Sequence, residues 1–284
     1  MKVGGNPTIL IADYHAYLDD RKTPWEEMEV RAKYIETCLK LVLKEEASKI
    51  KFVKGSEFQS SKEYIEDMFK LSGIVSVKRA IRSASEVVRI KESPKVSSLI
   101  YPVMQNVDVK YVGAELVLGG IDQRHIYALG REILDEINWK KPICIFTPLL
   151  TSLTGPETKM SASKPDTHIT LHETEENLRK KVLKAYCPPN QTKDNPIIDI
   201  MEFVLFPFFS EIKVKTKEGE KTYTNINDLK NDYVKGLIHP LDLKNSLIEY
   251  TNILISPVRE YFEKHSEFFE RVKESMKISG YVID

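Results

Sequence analysis

Two short apolar runs on either side of one long amphipathic segment constrain this chain more than any other feature. Thr8 to Ala12 reads Thr-Ile-Leu-Ile-Ala, a continuous β-branched run that predicts a strand buried on both faces. Thr23, Pro24 and Glu26 form a capping box with proline at the first helical position. Val30, Tyr34, Ile35, Cys38, Leu39 and Val42 then repeat at helical spacing and predict a helix over 24–46. Ile50-Lys51-Phe52-Val53 is a second strand, running into Gly55-Ser56-Glu57-Phe58-Gln59. Strand, helix, strand implies a parallel sheet and hence an α/β fold.

In open α/β sheets ligands sit at the carboxyl ends of the strands. Asp13-Tyr14-His15-Ala16-Tyr17 occupies that place after the first strand, where His15 is either a ligand group or a hydrogen-bonded structural residue. Tyr101, Gln105 and Asp108 recur at offsets of four and three, so in a helix they share one face. A hydroxyl, an amide and a carboxylate make a poor core stripe and a good polar lining for a small ligand. Leu116 to Leu118 reads as a short buried strand that stops at Gly119-Gly120, ahead of Asp122-Gln123 and a helical segment, Ile126 to Leu134. The glycines let backbone approach a ligand, or only turn the strand into the helix with Asp122 as its cap.

From Ser61 to Ser98 the chain reads as charged helix with Lys78, Arg79, Arg82 and Arg89 clustered, a solvated face or a contact with a subunit or nucleic acid. Ile143 to Thr147 is a further strand. Thr151 to Pro165 then abandons periodicity for a small, polar, basic loop, and Lys159, Ser161, Ser163 and Lys164 suit it to a polyphosphate as well as to bulk solvent. A domain change is expected near 166–176, because helical pieces punctuated by Pro188-Pro189, Asn195-Pro196 and Pro207 follow. Thr174 opens one helix, and Lys213 to Thr224 forms a small hairpin through Lys217-Glu218-Gly219. His239-Pro240-Leu241-Asp242 starts a last helix carrying Leu247, Leu254, Val258 and Phe262, with Asp242 favoured in its first turn by the helix dipole.

Lys plus Arg equals Asp plus Glu at 42 each, so overall charge does not select a polyanionic partner, and any nucleic-acid contact must be local. Cys38, Cys144 and Cys187 are far apart, without the spacing of a zinc site or a disulfide framework, which fits a reducing cytoplasm. No apolar run approaches the roughly eighteen residues that span a bilayer.

Tyr101-x-x-x-Gln105-x-x-Asp108, Gly119-Gly120-Ile121-Asp122-Gln123-Arg124 and Lys159-Met160-Ser161-Ala162-Ser163, in this order and spacing, resemble the tyrosyl-tRNA synthetases of archaeal and eukaryotic type, class I aminoacyl-tRNA synthetases. His239 to Asn245 resembles their carboxyl-terminal domain. The resemblance implies a Rossmann-like parallel-sheet catalytic domain over 1–170, with a connective insertion at about 64–100 that forms a homodimer. A mainly helical anticodon-binding domain would follow over 171–284. Asp108 would accept from the substrate phenol, Tyr101, Gln105 and Gln123 would hold its ammonium, and Leu10, His15, Phe58, Gln59 and Val112 would line the ring pocket. Gly119, Gly120 and Asp122 would meet the adenylate ribose, while Lys159, Met160, Ser161 and Ser163 would close over the ATP phosphates. Arg124 would approach the tRNA acceptor end, and Asp242 with His239 the first anticodon base. Magnesium would accompany ATP without a dedicated protein site.

The family's His-x-Gly-His element is not formed by the histidines at 15, 125, 168, 172, 239 and 265. The resemblance places that element, with the first strand and helix, ahead of Met1, so the sheet is expected to lack a central strand. A truncated synthetase, one part of a split enzyme and a synthetase-derived binder of tyrosine or tRNA all fit this reading. A tryptophanyl enzyme is disfavoured by Asp108, because an indole N–H needs its acceptor elsewhere.

Overall fold

The computed structural model describes residues 4–87, 93–158, 160–161 and 164–281. β1 (Thr8–Ile11) and β2 (Lys51–Lys54) pair in parallel, with Ile9 opposite Phe52 and Leu10 opposite Val53. Between them lie α1 (Asp13–Leu18) and α2 (Met28–Leu43). The long helix expected over 24–46 is therefore α-helical only in its middle, flanked by 3₁₀ turns at Trp25–Glu27 and Lys44–Lys49. Thr23 does not cap it: its hydroxyl accepts from Arg31 Nη1 at 3.3 Å, and Lys44 turns the chain with a φ of 52°. β1 is half-buried along most of its length rather than buried on both faces.

α3 (Lys62–Ser72), α4 (Val77–Ala84) and α5 (Val96–Val112) follow; of the expected basic cluster, Arg89 lies outside the described residues. β3 (Leu116–Gly120), α6 (Arg124–Ile133) and β4 (Ile143–Thr147) form a second parallel unit, Leu116 opposite Ile143 and Leu118 opposite Ile145. The core here is helical: Tyr64, Met68 and Leu71 of α3 meet Val103, Met104 and Val107 of α5 and Leu129 and Ile133 of α6.

Among the described residues the parallel strands remain two separate pairs, β1 with β2 and β3 with β4. β3 is not the buried strand its composition predicts: Leu118 is 68% exposed, Ile143 beside it 64%, and Leu116 and Ile145 47% each. Parallel sheets normally have both faces covered. Here alternate side chains of the pair stand on a bare face, which an apolar run alone does not reveal.

The chain divides into two compact units, Met1–Leu149 and Leu150–Asp284. The second holds α7 (Glu175–Lys184), α8 (Pro196–Ile200), a π-helical turn at Met201–Leu205, α9 (Phe206–Phe208) and the antiparallel hairpin of β5 (Ile212–Thr216) and β6 (Gly219–Tyr223). α10 (Ile226–Val234), α11 (Pro240–Lys264) and α12 (Ser266–Ile278) complete it. Thr174 caps α7 by accepting from Asn177 N, and Asn195 caps α8 by accepting from Ile197 N and Ile198 N. Leu247, Leu254, Val258 and Phe262 are all buried, as their helical spacing predicts.

Candidate active site

The polar face of α5 is held in place by its crossing with α6. Pro102 lies inside α5 and brings no N–H, and Asn106, one turn on, donates from Nδ2 to Pro102 O at 2.8 Å and to Ile126 O at 3.0 Å. Gly130 makes the close approach possible, since a Cβ there would run into the Asn106 amide. Asn106 is itself buried, so both N–H donors of its amide are spent on backbone carbonyls. The crossing sets Tyr101, Gln105 and Asp108 opposite the turn that carries Gln123.

Asp108 is buried, and its two oxygens have different surroundings. Oδ1 accepts from Gln59 Nε2 at 2.8 Å and from the Tyr64 hydroxyl at 2.7 Å. Oδ2 has no hydrogen-bond partner among the described residues; His15 Nε2 lies 3.6 Å away, too far for a hydrogen bond. Both His15 ring nitrogens and Gln59 Oε1 are likewise buried without partners. The His15 ring stands edge-on to Tyr101, centroids 4.6 Å apart. Burial pushes the Asp108 carboxyl above the usual carboxylate range, against His15, Gln59 and Tyr64, which pull it down. Burial likewise pushes His15 below its ordinary value, against the charges of Asp108 and Asp13. Buried polar atoms in native structures are normally paired, so this cluster of open ones marks a place for a ligand.

At the other end of the polar face, Gln105 Nε2 donates to Gln123 Oε1 at 3.1 Å, and Gln123 Nε2 to Asp122 Oδ2 at 3.2 Å. Asp122 does not cap α6; the 3₁₀ turn Ile121–Gln123 intervenes and no side chain caps either element. A Cβ on Gly120 would force the Asp122 carboxylate to move, whereas Gly119 has ordinary van der Waals room. Phe58 stacks on Tyr111 at 5.9 Å, Leu10 is half-buried in β1, and Val112 follows Asp108 by one turn. Arg124 is exposed at the first position of α6.

The remaining expected site residues belong to the second unit. Lys159 and Ser163 lie outside the described residues, while Met160 is exposed and Ser161 N donates to Thr167 Oγ1 at 3.0 Å. His239 is the N-cap of α11, its Nδ1 accepting from Leu241 N at 3.1 Å, with Asp242 half-buried in the first turn. Among the described residues no group of His, Cys, Asp and Glu has metal-binding geometry, and no helix is long and apolar enough to cross a membrane.

Tyr64 is the site residue that sequence reasoning missed. It sits in a segment read as solvated helix, yet Tyr64, Met68 and Leu71 recur at offsets of four and three and are all buried. That apolar spacing was the available signal.

The family of tRNA synthetases class I (W and Y) matches residues 1–256. The chain is 40% identical over 262 residues to a tyrosine–tRNA ligase from Methanosarcina barkeri, covering 91% of this chain and 81% of that one. It is 38% identical over 268 residues to the cytoplasmic tyrosine–tRNA ligase of Gallus gallus, covering 92% of this chain but only 50% of the relative. The crystal structure of a tyrosyl-tRNA synthetase complexed with L-tyrosine from Archaeoglobus fulgidus superposes with a TM-score of 0.85 at 39% identity, covering 91% of this chain and 80% of that one. The paired parallel strands and their crossing helices are thus the α/β scaffold of a class I synthetase, and the chain belongs to the tyrosine–tRNA ligases of archaeal and eukaryotic type.

Proposed function

We propose that this chain binds L-tyrosine on the polar face of α5, activates it with ATP and transfers it to a tyrosine tRNA. One observation carries the reading: a buried carboxylate, Asp108, keeps one oxygen without a donor, 3.6 Å from the His15 ring nitrogen. A phenol supplies that donor, whereas phenylalanine leaves the oxygen buried and unpaired. Rejection of phenylalanine on this ground is a known property of tyrosyl enzymes. Tyr101, Gln105 and Gln123 hold the ammonium group, and His15, Phe58, Gln59, Leu10 and Val112 enclose the ring. Gly119, Gly120 and Asp122 meet the ribose of the adenylate.

In the first step a tyrosine carboxylate oxygen attacks the α-phosphorus of ATP and pyrophosphate leaves. In the second a terminal ribose hydroxyl of the tRNA attacks the tyrosyl carbonyl and AMP leaves. No side chain of the protein serves as nucleophile; the contribution is positioning and charge stabilisation. The stretch 159–163, with Lys159, Met160, Ser161 and Ser163, meets the phosphates, and magnesium enters with ATP as part of that substrate. Arg124 serves the acceptor end of the tRNA, and His239 with Asp242 its anticodon, within a catalytic domain over 1–170 and an anticodon domain over 171–284. Exposed Ile65, Phe69 and Val77 on α3 and α4 support self-association through the insertion at about 64–100. The setting is the cytoplasm.

Tyrosine-dependent exchange of pyrophosphate into ATP tests the reading. Exchange with tyrosine and not with phenylalanine is expected; exchange with neither, and no tyrosine binding, overturns it. Tyrosine binding without exchange would instead favour a synthetase-derived binder.

A further inference from the structure

The division of labour between the two oxygens of Asp108 points to a role for Tyr64. A carboxylate offers about four lone-pair positions over two oxygens and is free to rotate unless something holds it. Here both protein donors, Gln59 Nε2 and the Tyr64 hydroxyl, converge on Oδ1. The single proton of Tyr64 has two acceptors within reach, Asp108 Oδ1 at 2.7 Å and Met104 O at 3.2 Å, and the shorter, charge-assisted contact takes it.

Tyr64 has no freedom to do otherwise. Its side chain is fully buried, its ring lies 4.9 Å from Tyr111 and 5.7 Å from Phe58, and Ser61 caps the start of α3 by accepting from Tyr64 N at 3.3 Å. The backbone is thus anchored at the start of α3 and the ring between Phe58 and Tyr111, while the hydroxyl reaches the Met104 and Asp108 turns of α5. Met104 and Asp108 lie one turn apart on that helix, so the hydroxyl addresses two successive turns at once.

We propose that Tyr64 is a specificity-determining positioning residue: by occupying Oδ1 it fixes the carboxylate plane, so that Asp108 meets the ring hydroxyl of the ligand through Oδ2. The proposal rests on the reading of Asp108 as the phenol acceptor. Tyr64 touches no reacting atom; it acts on the ligand through Asp108. Losing its hydroxyl frees a lone pair on Oδ1 and lets the carboxylate turn, which penalises a ligand that needs Oδ2 in place. A ligand without a ring hydroxyl makes no use of that oxygen and is indifferent to its orientation.

The test is equilibrium dialysis of the 284-residue chain with labelled tyrosine and labelled phenylalanine, for the wild type, Tyr64→Phe, Gln59→Leu and the double variant. Tyr64→Phe should lower tyrosine affinity by about tenfold, the scale of one hydrogen bond to a charged group. Phenylalanine affinity should stay within about twofold, so the preference falls by nearly the same factor. Gln59→Leu should lower the preference too, and the double variant should lose less than the product of the single losses, because both donors hold the same oxygen. A purely structural Tyr64 would weaken both ligands alike. Tyrosine binding with an unchanged preference in Tyr64→Phe, or independent losses in the double variant, overturns the inference alone. If Tyr64→Phe does not fold, an unchanged preference in Gln59→Leu overturns it. No preference for tyrosine in the wild type overturns the phenol reading and this inference with it.

Discussion

The two units of this chain differ in how they treat buried polar groups and apolar strands. In the second unit the apolar stripe of α11 is buried, though Phe203, Phe208 and Ile253 are exposed, and buried polar groups are mostly matched: Asn195, fully buried, caps α8 with its oxygen and donates to Gln191 O, and Glu173 is ion-paired with Lys181, while Thr251 Oγ1 stays open. In the first unit the β3–β4 pair leaves aliphatic side chains on a bare face, while His15, Gln59 and Asp108 keep buried polar atoms without partners. The difference is the clustering: these open polar atoms of the first unit gather around Asp108. Unpaired buried groups cost stability, and a fold keeps them where a ligand will use them.

Two leucines should differ most. Leu247→Ala, inside the second unit, should cost about 2–5 kcal/mol, whereas Leu118→Ala on the bare face should cost less than about 1 kcal/mol. Denaturant unfolding followed by far-UV circular dichroism measures the first. Both tryptophans, Trp25 and Trp139, lie in the first unit, so tryptophan emission measures the second. Equal costs would show that the β3–β4 face is buried as well as the α11 stripe.

Next comes acid. Burial pushes His172 down to about 4, helped by Lys181, Lys273 and His168 and opposed by Glu173. Its contribution is present above the unfolded value of about 6.5 and is lost as pH falls through about 4, a change of up to about 3 kcal/mol. His172→Gln should flatten the acid limb of the second unit's stability profile. A profile unchanged by the substitution would remove His172 as the cause.

Asp108→Asn tests the open acceptor of the first unit. An amide keeps an oxygen for Gln59 and Tyr64 but replaces the open acceptor, so tyrosine binding should weaken by about 1.5–3 kcal/mol in calorimetric titration. Stability should move the other way. Because burial raises Asp108, its stability contribution is full below the unfolded value of about 3.9 and is lost as pH rises through the folded one. The variant should therefore melt higher than wild type at pH 7, with the gap closing toward pH 4. A lower melting temperature at pH 7 would mean that the carboxylate is structural.

The mildest change in the second unit belongs to a cap. Asn195→Ala should cost the second unit about 1–2 kcal/mol in the same denaturant experiment.

What could be read in advance was local. The face shared by Tyr101, Gln105 and Asp108 follows from helical periodicity within eight residues, and so does the buried stripe of α11. The partnership of Tyr64 with Asp108 spans 44 residues, and only packing of α3 against α5 creates it. The capping-box pattern at Thr23 was present, but a tertiary donor, Arg31, took the hydroxyl that the helix needed. The exposure of Leu116 and Leu118 was hidden for a different reason: an apolar run states what a strand would bury, not whether anything covers it.

The Asn106 fork at the α5–α6 crossing has a kinetic consequence. It ties Pro102 O to Ile126 O through one side-chain amide, between the helix that carries Gln105 and the turn that carries Gln123. The two elements separate by breaking the bonds from Asn106 to Ile126 O and from Gln105 to Gln123, since the bond to Pro102 O lies within α5. Backbone amides near 104–108 and 126–130 should then exchange with deuterated solvent through one shared opening, at a common rate well below that of α4. The polar floor of the pocket would thus open as rarely as the core beneath it, and a ligand would meet it already assembled.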